Sequence, residues 1–291
     1  MKKNTIYKIL KLFKITLLAS CSFYSKPNDK EATNELQPNH IELNKTSITK
    51  EGNLKKILNL GQKEPSNYGK ENVIQKITQR FNENEKLINK IGPNIEIFAQ
   101  KINTDVQKIE PINQFEINKN TFPEKQDDNI DAILENNLFR RLFYSSLEYD
   151  ENKIKRLITI LAQASSSNGD HYRVIGLIFW TGFKIQESFE KAVNLLTKDE
   201  QRRLMFNFKT KTVKDVQENF EKLIQERNAW ITIVENIISD YDKYAGIRAD
   251  GIVLKEFIKN GYEHKFNPNK SMQILMDIET LLKACCDHIH Y

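Results

Sequence analysis

Few stretches of this chain carry residue types and spacings that could do chemistry, and the clearest lies near its start. Leu17-Leu18-Ala19-Ser20-Cys21 follows five lysines (Lys2, Lys3, Lys8, Lys11 and Lys14), no acidic residue and a short apolar run. That is the layout of a secretory signal with a small-residue cleavage site. A cysteine directly after the site makes it a lipobox. Cys21 then becomes the first residue of the mature chain and carries acyl chains on its thiol and its amine, two or more chains being needed for stable membrane anchoring. A second cluster stands at the far end, where Cys285, Cys286, Asp287, His288 and His290 are all zinc-competent types. Their spacing matches no structural zinc pattern, and chain ends fray, so the reading carries no metal site. An intermolecular disulfide or a plain helix end with one cysteine inward both remain open. Neighbouring cysteines reach disulfide geometry with each other only under strain.

Asp170-His171 has the look of an oriented base, yet no serine or cysteine partner can be named for it, and an N-cap followed by a solvated histidine is the simpler account. The chain contains no H-E-x-x-H, G-x-S-x-G, P-loop or G-x-G-x-x-G motif. With 10 glycines in 291 residues, a backbone cradle for phosphate is poorly supplied. We therefore expect no enzyme, no catalytic residue and no cofactor.

Charge narrows the partners. The chain carries +5 at neutral pH, but five of its 44 basic residues lie in the signal and the remaining 39 equal the 39 acidic ones. A net-neutral mature chain lacks the excess that phosphate neutralisation requires, which argues against nucleic-acid binding.

Three segments would position these residues. Residues 1–20 are the signal. Residues 21–68 are rich in Asn, Lys, Glu, Ser and Pro, too poor in large apolar side chains to offset ordering entropy, and are expected as a disordered tether. Such a coil spans about 40 Å. Residues 69–291 follow helical periodicity. Ile74, Ile77, Phe81, Ile88 and Ile91 share a face, and Gly92-Pro93 is expected to end that helix. Ile95, Phe98, Ile102, Val106 and Ile109 mark a second. A loop over 112–128 precedes a helix through Ile133, Leu134, Leu138, Leu142 and Phe143.

Asp150 reads as an N-cap for a helix with Ile154, Leu157, Ile158 and Leu161 inward. Asp170 caps the next, whose residues Val174 to Phe183 are apolar all round and place it at the centre. Thr197-Lys198-Asp199-Glu200 and Thr212-Val213-Lys214-Asp215 have capping-box spacing.

The longest pattern is a heptad run, Val213, Val216, Phe220, Leu223, Arg227, Trp230, Val234, Ile237 and Tyr241, a helix of about 45 Å. Arg227 alone interrupts its seam. It faces a cleft or an internal carboxylate, or else extends past the edge of the core. Trp180 and Trp230 could be binding hot spots, but both lie on apolar faces and read as core. Asp250 starts a short helix that Gly261 closes. Pro268 opens the last, with Met272, Leu275, Met276 and Leu282 as its apolar face. The expectation is all-α: a single bundle of about six to eight helices behind the tether.

Two stretches resemble a known family. Ser146-Leu147-Glu148-Tyr149-Asp150-Glu151-Asn152-Lys153-Ile154, with Leu157 and Leu161 after it, is similar to a helix start of the plasmid-encoded outer surface lipoproteins of Lyme-disease spirochaetes. Trp230 followed by Ile237-Ile238-Ser239-Asp240-Tyr241 is similar to their long-helix signature. The paralogous group so indicated includes a complement-regulator-acquiring protein that binds factor H. The resemblance implies an all-helical fold, a lipid anchor at Cys21, exposure on the cell outer membrane and a host protein as partner: a complement regulator, a terminal complement component or plasminogen. Members of that group share a fold and differ in ligand, so no ligand-binding residue is carried over. A structural or adhesion-type surface lipoprotein without complement binding is the alternative. Oligomeric state is open.

Overall fold

The computed structural model describes residues 68–108, 114–117, 121–122, 128–165 and 172–287. The lipobox, the tether to residue 67, Asp170-His171, His288 and His290 lie outside them. The chain divides between Gln79 and Arg80 into two units. Of the first, residues 68–79 form the opening turns of a helix.

Helices make up the described residues, with no strand among them. They are α1 (Tyr68–Val106), α2 (Asp128–Glu135), α3 (Asn137–Ser146), α4 (Glu151–Ser165), α5 (Tyr172–Thr197), α6 (Asp199–Met205), α7 (Thr210–Lys243), α8 (Ala245–Ala249), α9 (Gly251–Tyr262) and α10 (Pro268–Asp287). Eight of these have eight residues or more, and the all-α bundle expected from the periodicity is the fold observed.

The central position expected for α5 is what the packing gives, since it touches α2, α3, α4, α6, α7 and α10. The heptad run is α7, 34 residues or about 51 Å long. Its Val213, Val216, Phe220, Leu223, Arg227, Trp230, Val234 and Ile237 are all buried. Asp150 caps α4, accepting from the Lys153 N–H at 3.0 Å. Asp250 caps α9 by accepting from Ile252 at 2.7 Å, and Pro268 is the first residue of α10.

Four expectations are corrected. Gly92-Pro93 does not end a helix: α1 runs straight through it. Ile88, Ile91, Ile95 and Ile102 all stay buried across the junction, and that shared face outweighs the roughly 3 kcal/mol an internal proline costs. Asn89, whose carbonyl loses its partner to the proline ring, is exposed and open to water.

Neither threonine box caps a helix. Thr197 ends α5, its hydroxyl donating back to the Val193 carbonyl at 3.0 Å. Thr212 lies inside α7, which starts at Thr210. The helix expected through Ile133, Leu134, Leu138, Leu142 and Phe143 is two, α2 and α3. Asn136 stands between them and accepts from the Phe139 N–H at 3.1 Å. Finally, Ile77, Val106, Leu138 and Met276, expected on inward faces, are between 44% and 55% exposed. Leu138 and Val106 occupy the first or last turn of their helices, where the apolar stripe has run past the neighbouring element.

A buried polar layer as the candidate functional site

The buried apolar side chains form two clusters rather than one. The larger joins α2, α3, α4, α9, the first half of α5 to Ile185 and the second half of α7 from Trp230. The smaller joins α1, α10, the second half of α5 from Phe189 and the first half of α7 to Leu223. Only α5 and α7 run through both. Where they pass from one to the other their inward residues turn polar, with Gln186, Ser188 and Glu190 on α5 and Arg227 on α7. Arg141 and Ser145 of α3 and Asp105 of α1 complete the layer, and all seven are buried.

Arg227 sits at its centre. Its Nε donates to Gln186 Oε1 at 3.1 Å, one terminal nitrogen to the Ser145 carbonyl at 3.0 Å and the other to Glu148 Oε1 at 3.3 Å. Its guanidinium also lies over the Phe189 ring, 5.5 Å from the centroid. Arg227 is buried, so it does not extend past the core edge. The carboxylate it meets, Glu148, is not internal but 44% exposed at the rim of the layer. Its buried partners are an amide and a backbone carbonyl.

Gln186 passes the chain on, its amide donating to Ser145 Oγ at 3.1 Å and to Glu190 Oε1 at 3.0 Å. Glu190 takes the Arg141 fork through two bonds of 2.9 and 2.8 Å, the bidentate geometry that makes such pairs strong. Burial alone would make the Arg141 guanidinium easier to deprotonate. The Glu190 carboxylate outweighs it and holds the proton more firmly than usual. Ser145 Oγ in turn donates to Asp105 Oδ2 at 2.7 Å.

The rim of the layer is a strained turn. Glu148 and Tyr149 follow α3 with φ of 64° and 55°, left-handed values that side chains other than glycine adopt at a cost of about 1–3 kcal/mol each. Contacts from α1 and the residues just after it hold them. Lys101 Nζ lies 3.1 Å from Glu148 Oε1, and Lys108 Nζ lies 3.3 Å from the centre of the Tyr149 ring while bonding Asp105 at 2.8 Å. Partial burial pushes the Glu148 carboxyl up, but Lys101 and Arg227 together bring it below the ordinary carboxylate range.

Two further devices fix the helices around the layer. Trp230 is core, as expected, and its indole N–H donates to Ser146 Oγ at 3.0 Å. Gly182 of α5 passes close by. A Cβ there would stand 2.9 Å from both Ser146 Oγ and Trp230 Cζ2, so this is a place where only glycine fits. Trp180 is half-buried, stacked on Phe183 at 5.3 Å.

What this arrangement can do is bounded by its closure. Within the layer Ser145 is the hydroxyl that bonds a carboxylate, and it is 1% exposed. The layer sets register among α1, α3, α5 and α7 and presents no acid, base and nucleophile at an opening. Among the described residues no group of three or more His, Cys, Asp or Glu is placed to hold a metal ion. Cys285, Cys286 and Asp287 belong to the last turn of α10.

Outside the layer, an open depression between α7 and α10 is lined by Asp215, Glu218, Lys222, Asp277, Thr280 and Leu281. No described helix is long and apolar enough to cross a membrane.

Most of the layer was not singled out from sequence. A signal was there: Arg140 and Arg141 stand inside the apolar run from Phe139 to Phe143, and Glu190 shares the face of Gln186 and Phe189. Charged residues at core positions of two different helices ask for each other.

Comparison with known proteins follows from this geometry. The model of a family described as Borrelia Bbcrasp-1 domain containing protein matches residues 104–287, more than half of the chain. Among solved structures, outer surface lipoprotein BBA64 of Borrelia burgdorferi superposes with a TM-score of 0.60 at 21% identity. The match covers 71% of this chain and 98% of that one. The Lyme disease associated outer surface protein BBA65 of the same organism gives 0.59 at 22% identity, over 67% of this chain and 99% of that chain. The BBA64 orthologue of Borrelia spielmanii gives 0.58 at 20% identity, over 72% and 99%. At these identities the likeness is one of fold. No functionally curated protein matches the sequence significantly.

Proposed function

The chain belongs to the family of Borrelia Bbcrasp-1 domain containing proteins, and from that premise we propose that it is an outer surface lipoprotein, anchored through Cys21, whose helical domain binds a host protein in complement or immune evasion. The observation that carries the reading is the family match over residues 104–287. It is supported by the lipobox upstream of it and by the printed descriptions of the structural relatives, which name outer surface proteins. The polar layer is closed, so the partner meets the outer faces of the bundle. Apolar side chains are available there: Ile252 and Val253 of α9 are about half exposed, with Tyr244 near them in sequence.

The test has two arms. Intact cells making the full chain should lose it to added protease, and Cys21→Ala should abolish acylation and membrane retention. Protection of the protein on intact cells would overturn the surface reading. The acylated chain is then offered factor H, terminal complement proteins and plasminogen at physiological salt. Saturable binding to one establishes the partner. Binding to none leaves a surface lipoprotein with a structural or adhesive role.

A further inference from the structure

The separation of the two cores carries a consequence for how this bundle moves. No buried apolar side chain belongs to both clusters, so apolar contact, the main source of cooperativity in a folded domain, stops at the polar layer. What crosses the layer is the backbone of α5 and α7 and a set of hydrogen bonds. Among them are Arg227 to Gln186, Ser145 and Glu148, the Arg141 fork to Glu190, Gln186 to Ser145, Ser145 to Asp105, Lys101 to Glu148, and Ser271 of α10 to the Lys184 carbonyl of α5. Hydrogen bonds exchange readily with water once a gap admits it, and their net worth is a fraction of their strength.

We propose that the bundle opens in two steps along this layer. The half built from α1, α6, α10 and the adjoining ends of α5 and α7 comes apart while the half built from α2, α3, α4 and α9 stays folded.

One observation says which half opens first: that half has the smaller buried core. In the opened state α5 and α7 fray back to Gln186 and Arg227, where the polar layer meets solvent without exposing the larger core. This two-step opening is the local, graded stability that contiguous cooperative units show.

Hydrogen exchange on the full chain, read by mass spectrometry across sub-denaturing guanidinium, tests it. Amides of 84–102, 192–196, 213–223 and 274–282 should merge at a lower denaturant concentration than those of 139–147, 154–164, 174–183 and 230–262. Merging of all of them at one concentration would overturn the proposal. The sharper arm is Leu157→Ala, deep in the larger core. Two-step opening predicts that it cuts protection of the second group about 30-fold or more and leaves the first group unchanged, because the larger core stays folded when the smaller half opens. Equal loss in both groups would mean a single cooperative unit. Should Leu157→Ala fail to fold, Ile160→Val asks the same question at roughly 3- to 10-fold.

Discussion

Replacing Arg227 by methionine separates an arginine that ties the layer together from one that merely occupies a core edge. Methionine keeps most of the aliphatic stem, and removes the three-way fork together with the guanidinium's contact over the Phe189 ring. Gln186 Oε1 loses the bond that Arg227 supplied inside a buried site, which costs about 1–3 kcal/mol. The Ser145 carbonyl loses one of two donors, since the Glu148 N–H still reaches it at 3.0 Å, and this costs about 0.5–1.5 kcal/mol. Glu148 is 44% exposed and keeps Lys101, so its loss is screened and close to the ~0.5 kcal/mol of a surface pair.

Against these stands the desolvation of a guanidinium, which the substitution removes. The net is about 2 kcal/mol of destabilisation, or about 4–8 °C in Tm for a bundle of this size, measured by far-ultraviolet circular dichroism at pH 7. Arg227→Lys should recover little of it, because one ammonium cannot meet acceptors on three elements. A methionine variant as stable as the parent would refute the reasoning, since an arginine reaching past the core edge costs under about 0.5 kcal/mol to replace.

Two further outcomes follow from the same geometry. Gly182→Ala should lower stability by about 1–2 kcal/mol despite alanine's better helix propensity, because its methyl meets the Trp230 and Phe143 rings at 2.9 and 3.0 Å. A rise in Tm, with unchanged tryptophan emission, would show that the rings give way. Glu148, held below the ordinary carboxylate range, contributes stability that is present above the unfolded value near 4.5 and is lost as pH falls through its lower folded value. Thermal melts from pH 7 to pH 3 should therefore show the parent and Glu148→Gln converging below about pH 4.5, and a constant gap across that range would contradict the assignment.

The fold was legible because its helices announce themselves twice, by apolar spacing and by caps at Asp150 and Asp250. Where reading failed, two local signals competed. At Gly92-Pro93 a helix-breaking dipeptide stood inside an apolar pattern that never lost phase, with Ile91 and Ile95 four apart. Burial of that face decided the outcome. At Thr197 the capping-box spacing was present, but a threonine at a helix end satisfies its hydroxyl equally well by bonding back four residues. Spacing alone cannot separate the two, because the motif does not record which side of the threonine is helical.

The candidate site was legible only at Arg227, and the reason lies in how buried charge is encoded. An arginine in a heptad seam is visible as an exception, but the layer around it is not, because Glu190, Gln186, Ser145 and Asp105 come from three other helices at unrelated sequence distances. The same geometry explains why the two stretches that carry the family resemblance meet in space. Ser146 closes α3 beside the left-handed Glu148–Tyr149 turn, and Trp230 stands one turn beyond Arg227 on α7. Their hydrogen bond, Trp230 Nε1 to Ser146 Oγ, fixes the tryptophan against the serine next to Ser145, whose carbonyl Arg227 reaches. Both stretches therefore frame the polar layer, so the features that made the chain recognisable lie where its two cores are joined.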